Sequence, residues 1–347
     1  MPLIDPHPPQ GERFVWLAGG SLVLAVVIGA ILRAVFAGVP LPFGSFPELR
    51  HAHSHLGYYG VLFPLAWWAW IQGGPRPPGR ILTAIYGLAV LAATIGFARE
   101  GYGFTAIVAS TVVLLVWLTS AWRALPRLRE LRSWYAVAAP AIVGSAITIP
   151  LVAINFQRDP AFSSELVQLF LTLLLFGVIV PAALAVRQAP PPLAPLWALG
   201  TVCAALALGP WPTMPTLAGS VLLGLLLLQA GYRLRAPWDQ RALWLGLGAG
   251  LIVFGLGLVV ESHAVGVAGL HYAVLGPVLV SLGRPLSPRG PRWICLLYEA
   301  LVVVFCAAII GPQLLPGPPW PQIAAACGGL VALSWIAAFA VRGWRGE

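Results

Sequence analysis

Apolar residues run through this chain in stretches of about 20, long enough to cross a hydrocarbon core of about 30 Å as helices. Charged residues are concentrated in the short gaps between them and at their ends. Pro, Gly and Arg punctuation places the spans at 14–37, 49–72, 81–99, 102–122, 134–155, 163–187, 193–209, 213–232, 240–260, 263–283, 292–315 and 321–342. The pattern predicts an all-α fold, a polytopic membrane bundle of about 12 transmembrane helices. One bundle over 14–342 would carry cytoplasmic tails at 1–13 and 343–347. The first run lacks a basic leader and a small-residue cleavage site, so it reads as a retained helix.

Arginine tests this division independently, because basic residues collect in cytoplasmic loops. Gaps after even-numbered spans carry Arg76 and Arg80; Arg123, Arg127, Arg129 and Arg132; Arg187; Arg233, Arg235 and Arg241; Arg284, Arg289 and Arg292; then Arg342 and Arg345. Gaps after odd-numbered spans hold only Glu48 with Arg50, Arg99 with Glu100, Arg158 with Asp159 and Glu165, and Glu261. Both termini are therefore expected in the cytoplasm and the odd gaps in the periplasm. No internal repeat is legible in the sequence.

Composition narrows the class further. Hydrophobic residues make up 59% and charged residues 9% of the 347 positions, against about a quarter charged in soluble domains. The net charge of +9 would suit nucleic acid, but it is spread over loops between lipid-compatible segments. The expected partner is the lipid bilayer, with no nucleic acid. Arginine without lysine, with 38 Gly and 33 Pro, suits a bacterial inner-membrane protein. Cys203, Cys295, Cys306 and Cys327 show no CxxC spacing, which disfavours a zinc ribbon or covalent c-type haem.

The candidate chemistry lies in the histidines. His51, His53 and His55 open span 2 in RHAHSHLGYYG, and His263 and His271 open span 10 in ESHAVGVAGLHYAVLG; His7 belongs to a Pro-rich tail. Both clusters fall at the expected periplasmic end. On a helix His51 and His55 share a face while His53 points roughly opposite. His263 and His271 are separated by about 12 Å along the axis and about 80° around it, too far to share one small ion. Imidazole suits haem iron, copper or zinc, and ionisable groups inside a membrane mark functional paths by default. A lone intramembrane histidine is more often a hydrogen-bonded core residue, but five in two clusters favour a ligand site.

The surroundings admit two readings each. Ala52, Gly57, Gly60, Ala264, Gly266, Gly269 and Gly276 leave room for a flat macrocycle or for close helix packing. Tyr58, Tyr59 and Tyr272 suit interfacial anchoring or donation to a ligand; Arg50 and Arg99 suit propionates or pairing with Glu48 and Glu100. Glu299, beside Tyr298 in span 11, is either a proton-path carboxyl or a neutral, hydrogen-bonded acid, with Arg292 as an alternative partner. Asn155, Gln168 and Gln229 read as interhelical hydrogen-bond formers.

Twelve spans with histidines opening spans 2 and 10 resemble the haem-copper oxidase catalytic subunit, in which those helices hold the low-spin haem. HAHSHLGYYG and HAVGVAGLHYAVLGPVLVSLGRPL are similar to segments of NnrS-like membrane proteins, which are haem- and copper-associated and linked to nitric oxide stress. The resemblance covers the topology and about 45 residues of motif. It implies haem b or copper as cofactor, His51, His53, His55, His263 and His271 as candidate cofactor ligands, and a redox partner or sister subunit. His51, His55, His263 and His271 are the metal-ligand candidates. Spans 6 and 7 contain no histidine, so the copper site of an oxygen-reducing oxidase is not expected.

The leading expectation is a haem- or copper-binding membrane protein with a periplasm-side histidine site between spans 2 and 10, serving redox, gas-related or metal-handling chemistry. A secondary transporter and a membrane-embedded metal-dependent enzyme, with Glu261 as general base, are the alternatives.

Overall fold

In a membrane every backbone N–H and C=O must be satisfied within the protein, and this chain does so with helices. The computed structural model describes residues 11–72, 78–128, 133–155, 158–182, 194–206, 213–233, 238–259, 265, 268–269, 271–272, 274–278, 292–315, 317 and 319–345. Among these there is no strand. The helices are α1 (Glu12–Phe36), α2 (Phe46–Leu56), α3 (Phe63–Gln72), α4 (Arg80–Glu100), α5 (Phe104–Leu128), α6 (Ser133–Asn155) and α7 (Pro160–Thr172). They continue as α8 (Ala194–Leu206), α9 (Thr213–Arg233), α10 (Trp238–Val259), α11 (Arg292–Leu314) and α12 (Trp320–Arg345). π-helical segments occupy Gly57–Leu62, Leu173–Ile179 and Val274–Val278.

Every apolar stretch expected from sequence except the tenth falls on a described helical run; most of the tenth, with His263, lies outside the described residues. Among the described residues five helical segments are long and apolar enough to cross a membrane by length and composition: Glu12–Phe36, Arg80–Glu100, Phe104–Arg123, Leu296–Leu314 and Trp320–Val341. Shorter apolar helices lie at Pro140–Val152, Leu173–Ala182, Ala218–Gln229 and Trp244–Gly257. Their lipid-compatible side chains point outward as well as inward: Ile81, Leu88, Phe104, Leu115 and Leu297 are all exposed, as expected where lipid replaces water.

The described residues gather into two compact units. One lies within Met1–Ala124 and Leu315–Glu347, the other within Leu125–Leu282 and Pro291–Leu314. In the first, α1 packs against α2, α3, the first π segment and α12, and α2 packs against α4. Its core is aromatic: Trp117 of α5 stacks on Phe63 and Trp70 of α3, and Trp67 meets Phe14, Tyr86 and Trp117. In the second, α9 packs on α8 and α10, α6 packs on α7 and the second π segment, and α11 meets α10 and the third π segment.

The π segments share one construction. A π turn leaves a backbone carbonyl without its ordinary partner, and a buried carbonyl requires one. In each case an aromatic donor on a later helix supplies one. The Tyr86 hydroxyl of α4 donates to the Tyr59 carbonyl. The Trp197 indole of α8 donates to the Phe176 carbonyl at 2.8 Å. The Tyr298 hydroxyl of α11 donates to the Leu275 carbonyl at 2.9 Å.

Alignment on these accepting carbonyls exposes a repeat. HLGYYGVLFP (55–64), TLLLFGVIVP (172–181) and HYAVLGPVLV (271–280) then fall in register. Glycine follows the accepting residue in all three, as Gly60, Gly177 and Gly276. A Cβ at Gly60 would lie 2.5 Å from Ser21 Oγ, and one at Gly177 2.2 Å from Ala141 Cβ, so these glycines admit the preceding helix. Four residues before the carbonyl stand His55, Thr172 and His271. The shared feature is a hydrogen-bonded local geometry carried by few identical residues, which leaves no repeat legible in the sequence itself.

Candidate functional site

The first histidine cluster is set by a capped helix start. Ser45 and Glu48 form a reciprocal capping box, with Ser45 N–H donating to Glu48 Oε2 at 3.0 Å and Glu48 N–H to Ser45 Oγ at 3.4 Å. This fixes α2 so that its second turn carries His51 and its last turn His53 and His55. Opposite, α4 ends at Gly101, whose φ of 61° lets the chain turn at once. Glu100 then accepts from Thr105 N–H at 2.9 Å, capping α5. Tyr102, in that turn, reaches the histidines.

His51, His55 and Tyr102 converge. Their ring centroids are 6.3 Å apart for His51 and His55, 4.7 Å for His51 and Tyr102, and 5.5 Å for His55 and Tyr102. His55 stacks on Phe97 at 3.9 Å and meets Tyr59 edge-on at 5.4 Å. Its Nδ1 lies 2.9 Å from the His51 carbonyl, an acceptor, so Nδ1 carries the hydrogen and Nε2 keeps its lone pair. The Tyr102 hydroxyl sits 3.5 Å from that Nε2. This is the tautomer of a metal-ligating histidine, fixed by Nδ1–H on a backbone carbonyl and by ring stacking.

His53 faces away from this group, as the 100° step requires. Its Nδ1 donates to the Ala25 carbonyl of α1 at 2.9 Å, and its ring lies against Gly29, where a Cβ would come within 2.8 Å of Cε1. His53 therefore ties α2 to α1. Gly29 gives the ring its place.

Arg50 and Arg99 are exposed. Glu48 and Glu100 serve as the helix caps already described. Tyr59 is buried and its backbone carbonyl is the acceptor for Tyr86.

In the second unit His271 is half-buried with its ring 6.2 Å from Phe305 of α11. The neighbouring Tyr272 phenol faces the Glu299 carboxyl. Glu299 lies over Gly276, where a Cβ would come within 2.7 Å of its Oε2. The candidate proton-path residue and the second histidine segment, far apart in sequence, thus belong to one local group. His263 and Glu261 lie outside the described residues.

Among the described residues no group of three or more His, Cys, Asp or Glu side chains is placed to hold a metal ion. His51 and His55 form a pair, so an ion there would complete its shell with Tyr102, water or a ligand. An axial haem ligand needs one imidazole nitrogen with a free lone pair, which His55 Nε2 supplies. The donors fit haem or copper in that sense.

The reading from sequence missed Tyr102 and Phe97, although FAREGYGF follows span 3 on the side of the histidines. It also missed the donors Tyr86, Trp197 and Tyr298, which nothing in a hydropathy pattern marks. No family model and no curated protein matches this chain.

Proposed function

We propose that this chain is a haem- or copper-binding integral membrane protein of about twelve spans in a bacterial inner membrane, with both termini cytoplasmic. The observation that carries the reading is His55: Nδ1–H held by the His51 carbonyl at 2.9 Å, ring stacked on Phe97, Nε2 facing Tyr102. A ligand-binding imidazole needs that tautomer and that rigidity.

His271 stands at the same station of the repeated π element as His55, which favours reading both as functional. His51 is the second donor beside His55, and His263 remains a donor candidate by sequence. A bound haem or copper would supply reversible one-electron chemistry or gas binding. The chain's own contribution is a neutral imidazole of fixed tautomer, a phenol within reach of the ligand position, and the rings of Phe97 and Tyr59 against His55. Electrons would come from a redox partner or sister subunit.

The test is an oxidised and dithionite-reduced visible spectrum of the detergent-purified protein, with elemental analysis for iron, copper and zinc. A Soret band that shifts on reduction, or stoichiometric copper, supports the proposal; absence of both overturns it. Secondary transport is the second reading, favoured by the Glu299–Tyr272 pair between spans 10 and 11. Zinc without haem would instead favour a membrane-embedded metal-dependent enzyme.

A further inference from the structure

Each copy of the repeated π element pairs an accepting carbonyl with an aromatic donor on a later helix, and the residue after that donor can be compared between copies. It is Gly87 after Tyr86, Ala198 after Trp197 and Glu299 after Tyr298. Two copies build the element with the smallest side chains. A Cβ at Gly87 would make only ordinary contact, 3.6 Å from Leu17 Cδ1, so the position accepts a small residue without strain. The architecture does not call for a carboxyl there. The third copy nevertheless carries one, in an apolar helix, at a position where ionisable groups are costly and mark ion or proton paths.

The local geometry shows what the carboxyl meets. Both Glu299 oxygens are buried. The side chain lies over Gly276, which follows the accepting Leu275 and has no side chain to displace it. The phenol of Tyr272 faces the carboxyl from the same segment. On that segment His271 is the other titratable residue, its ring turned to Phe305. Cys306, on α11 itself, interacts with Tyr272. The packed helix α10 carries Asp239 and Arg241 in its first turn and no other titratable residue in its sequence. No cation is described beside Glu299.

We propose that Glu299 is a proton-binding carboxyl within the membrane-spanning part of the protein, added to the third copy of a structural repeat that does not need it. The inference is independent of whether the histidines hold haem or copper. A buried carboxyl facing a phenol, with no described cation, is suited to a proton, which neutralises it and leaves an acid able to hydrogen-bond.

The experiment is labelling of the full-length protein in detergent and in liposomes with dicyclohexylcarbodiimide, an apolar reagent that reacts with protonated carboxyls from the membrane phase. The acid adds across one C=N bond, its oxygen to carbon and its proton to nitrogen; acyl transfer to nitrogen then leaves a stable N-acylurea with no leaving group. Peptide mass spectrometry is expected to find the adduct on Glu299, with labelling decreasing as pH rises and absent in E299Q. E299A is expected to elute and melt like the parent, because Gly and Ala fill the equivalent positions.

No adduct on Glu299 at any pH would overturn the proposal. So would protection by sodium at constant pH, which would make the group a metal-cation site, or loss of folding in both E299A and E299Q, which would make it structural. Labelling of Glu299 in a cofactor-free His55→Ala protein would separate this inference from the haem or copper reading.

Discussion

The Tyr86 hydroxyl donates to the backbone carbonyl of Tyr59, across from one helix into the π segment of another. The same relationship recurs between Trp197 and Phe176 and between Tyr298 and Leu275. A widened turn is stable inside an apolar bundle only if the carbonyl it frees is paired, and here an aromatic side chain does both the packing and the pairing.

Removal of one donor should therefore cost stability without changing shape. Tyr86→Phe and Trp197→Phe each leave a buried carbonyl unpaired, at about 1–2 kcal/mol on the scale of buried or interhelical hydrogen bonds. Thermal unfolding in detergent should show a lowered midpoint for both, and Thr83→Ala, which removes a hydroxyl bonded within its own turn to the Gly79 carbonyl at 3.0 Å, a smaller change. Equal midpoints for all three would refute the role of the aromatic donors.

The two kinds of histidine in the first cluster should separate experimentally. His55→Ala is expected to abolish bound haem or copper while the protein still elutes as a folded species. His53→Ala is expected to retain the cofactor and melt earlier, because it loses the bond to the Ala25 carbonyl at 2.9 Å. That loss corresponds to about 1–3 kcal/mol. The opposite pattern would exchange their roles.

His263→Ala, at the other end of the motif pair, is expected on the sequence reading to lose cofactor as well. Normal cofactor content in both the His55 and the His263 variants, measured by absorbance per protein, would sink the ligand assignment.

Cofactor retention should fall on acidification, because a protonated imidazole has no lone pair to donate. The sign follows from the tautomer at His55: ligation requires the neutral ring, so lower pH favours release and higher pH favours retention. A spectral titration of the purified protein, followed by return to neutral pH, checks this directly.

Glycine positions provide a steric test of the repeat. At Gly177 an added Cβ would lie 2.2 Å from Ala141 Cβ, whereas at Gly57 nothing lies within 4 Å. Gly177→Ala should destabilise by about 1–3 kcal/mol through overpacking, and Gly57→Ala should be neutral or slightly stabilising. Thermal midpoints that do not separate the two would argue against the tight contact between α6 and the second π segment.

Much of the fold was written in the hydropathy pattern. The helical runs over α1, α4, α5, α11 and α12 coincide closely with apolar stretches expected from sequence, because an apolar segment of that length has few ways to satisfy its backbone in lipid. The opposition of His53 to His51 and His55 also followed from helical periodicity alone. The sequence singled out Glu299 as an oddity, either a proton-path carboxyl or a neutral, hydrogen-bonded acid, with Arg292 as an alternative partner; the structure sets it against Tyr272 and Gly276, and the Arg292 side chain is outside those described.

What the sequence determined by itself is therefore the environment and the inventory: an apolar helical chain, its periodic faces, and a small set of histidines and one carboxyl that lipid makes costly. What only the tertiary structure decided is which of these meet. Tyr102 reaches His55 because a glycine turn carries it there, His53 serves α1 because its Nδ1 finds the Ala25 carbonyl, and three dissimilar π segments each offer a carbonyl to an aromatic donor. Hydropathy is a property of each residue alone and survives in the one-dimensional pattern, whereas a hydrogen bond between helices depends on a separation of 20 or more residues that no local window contains.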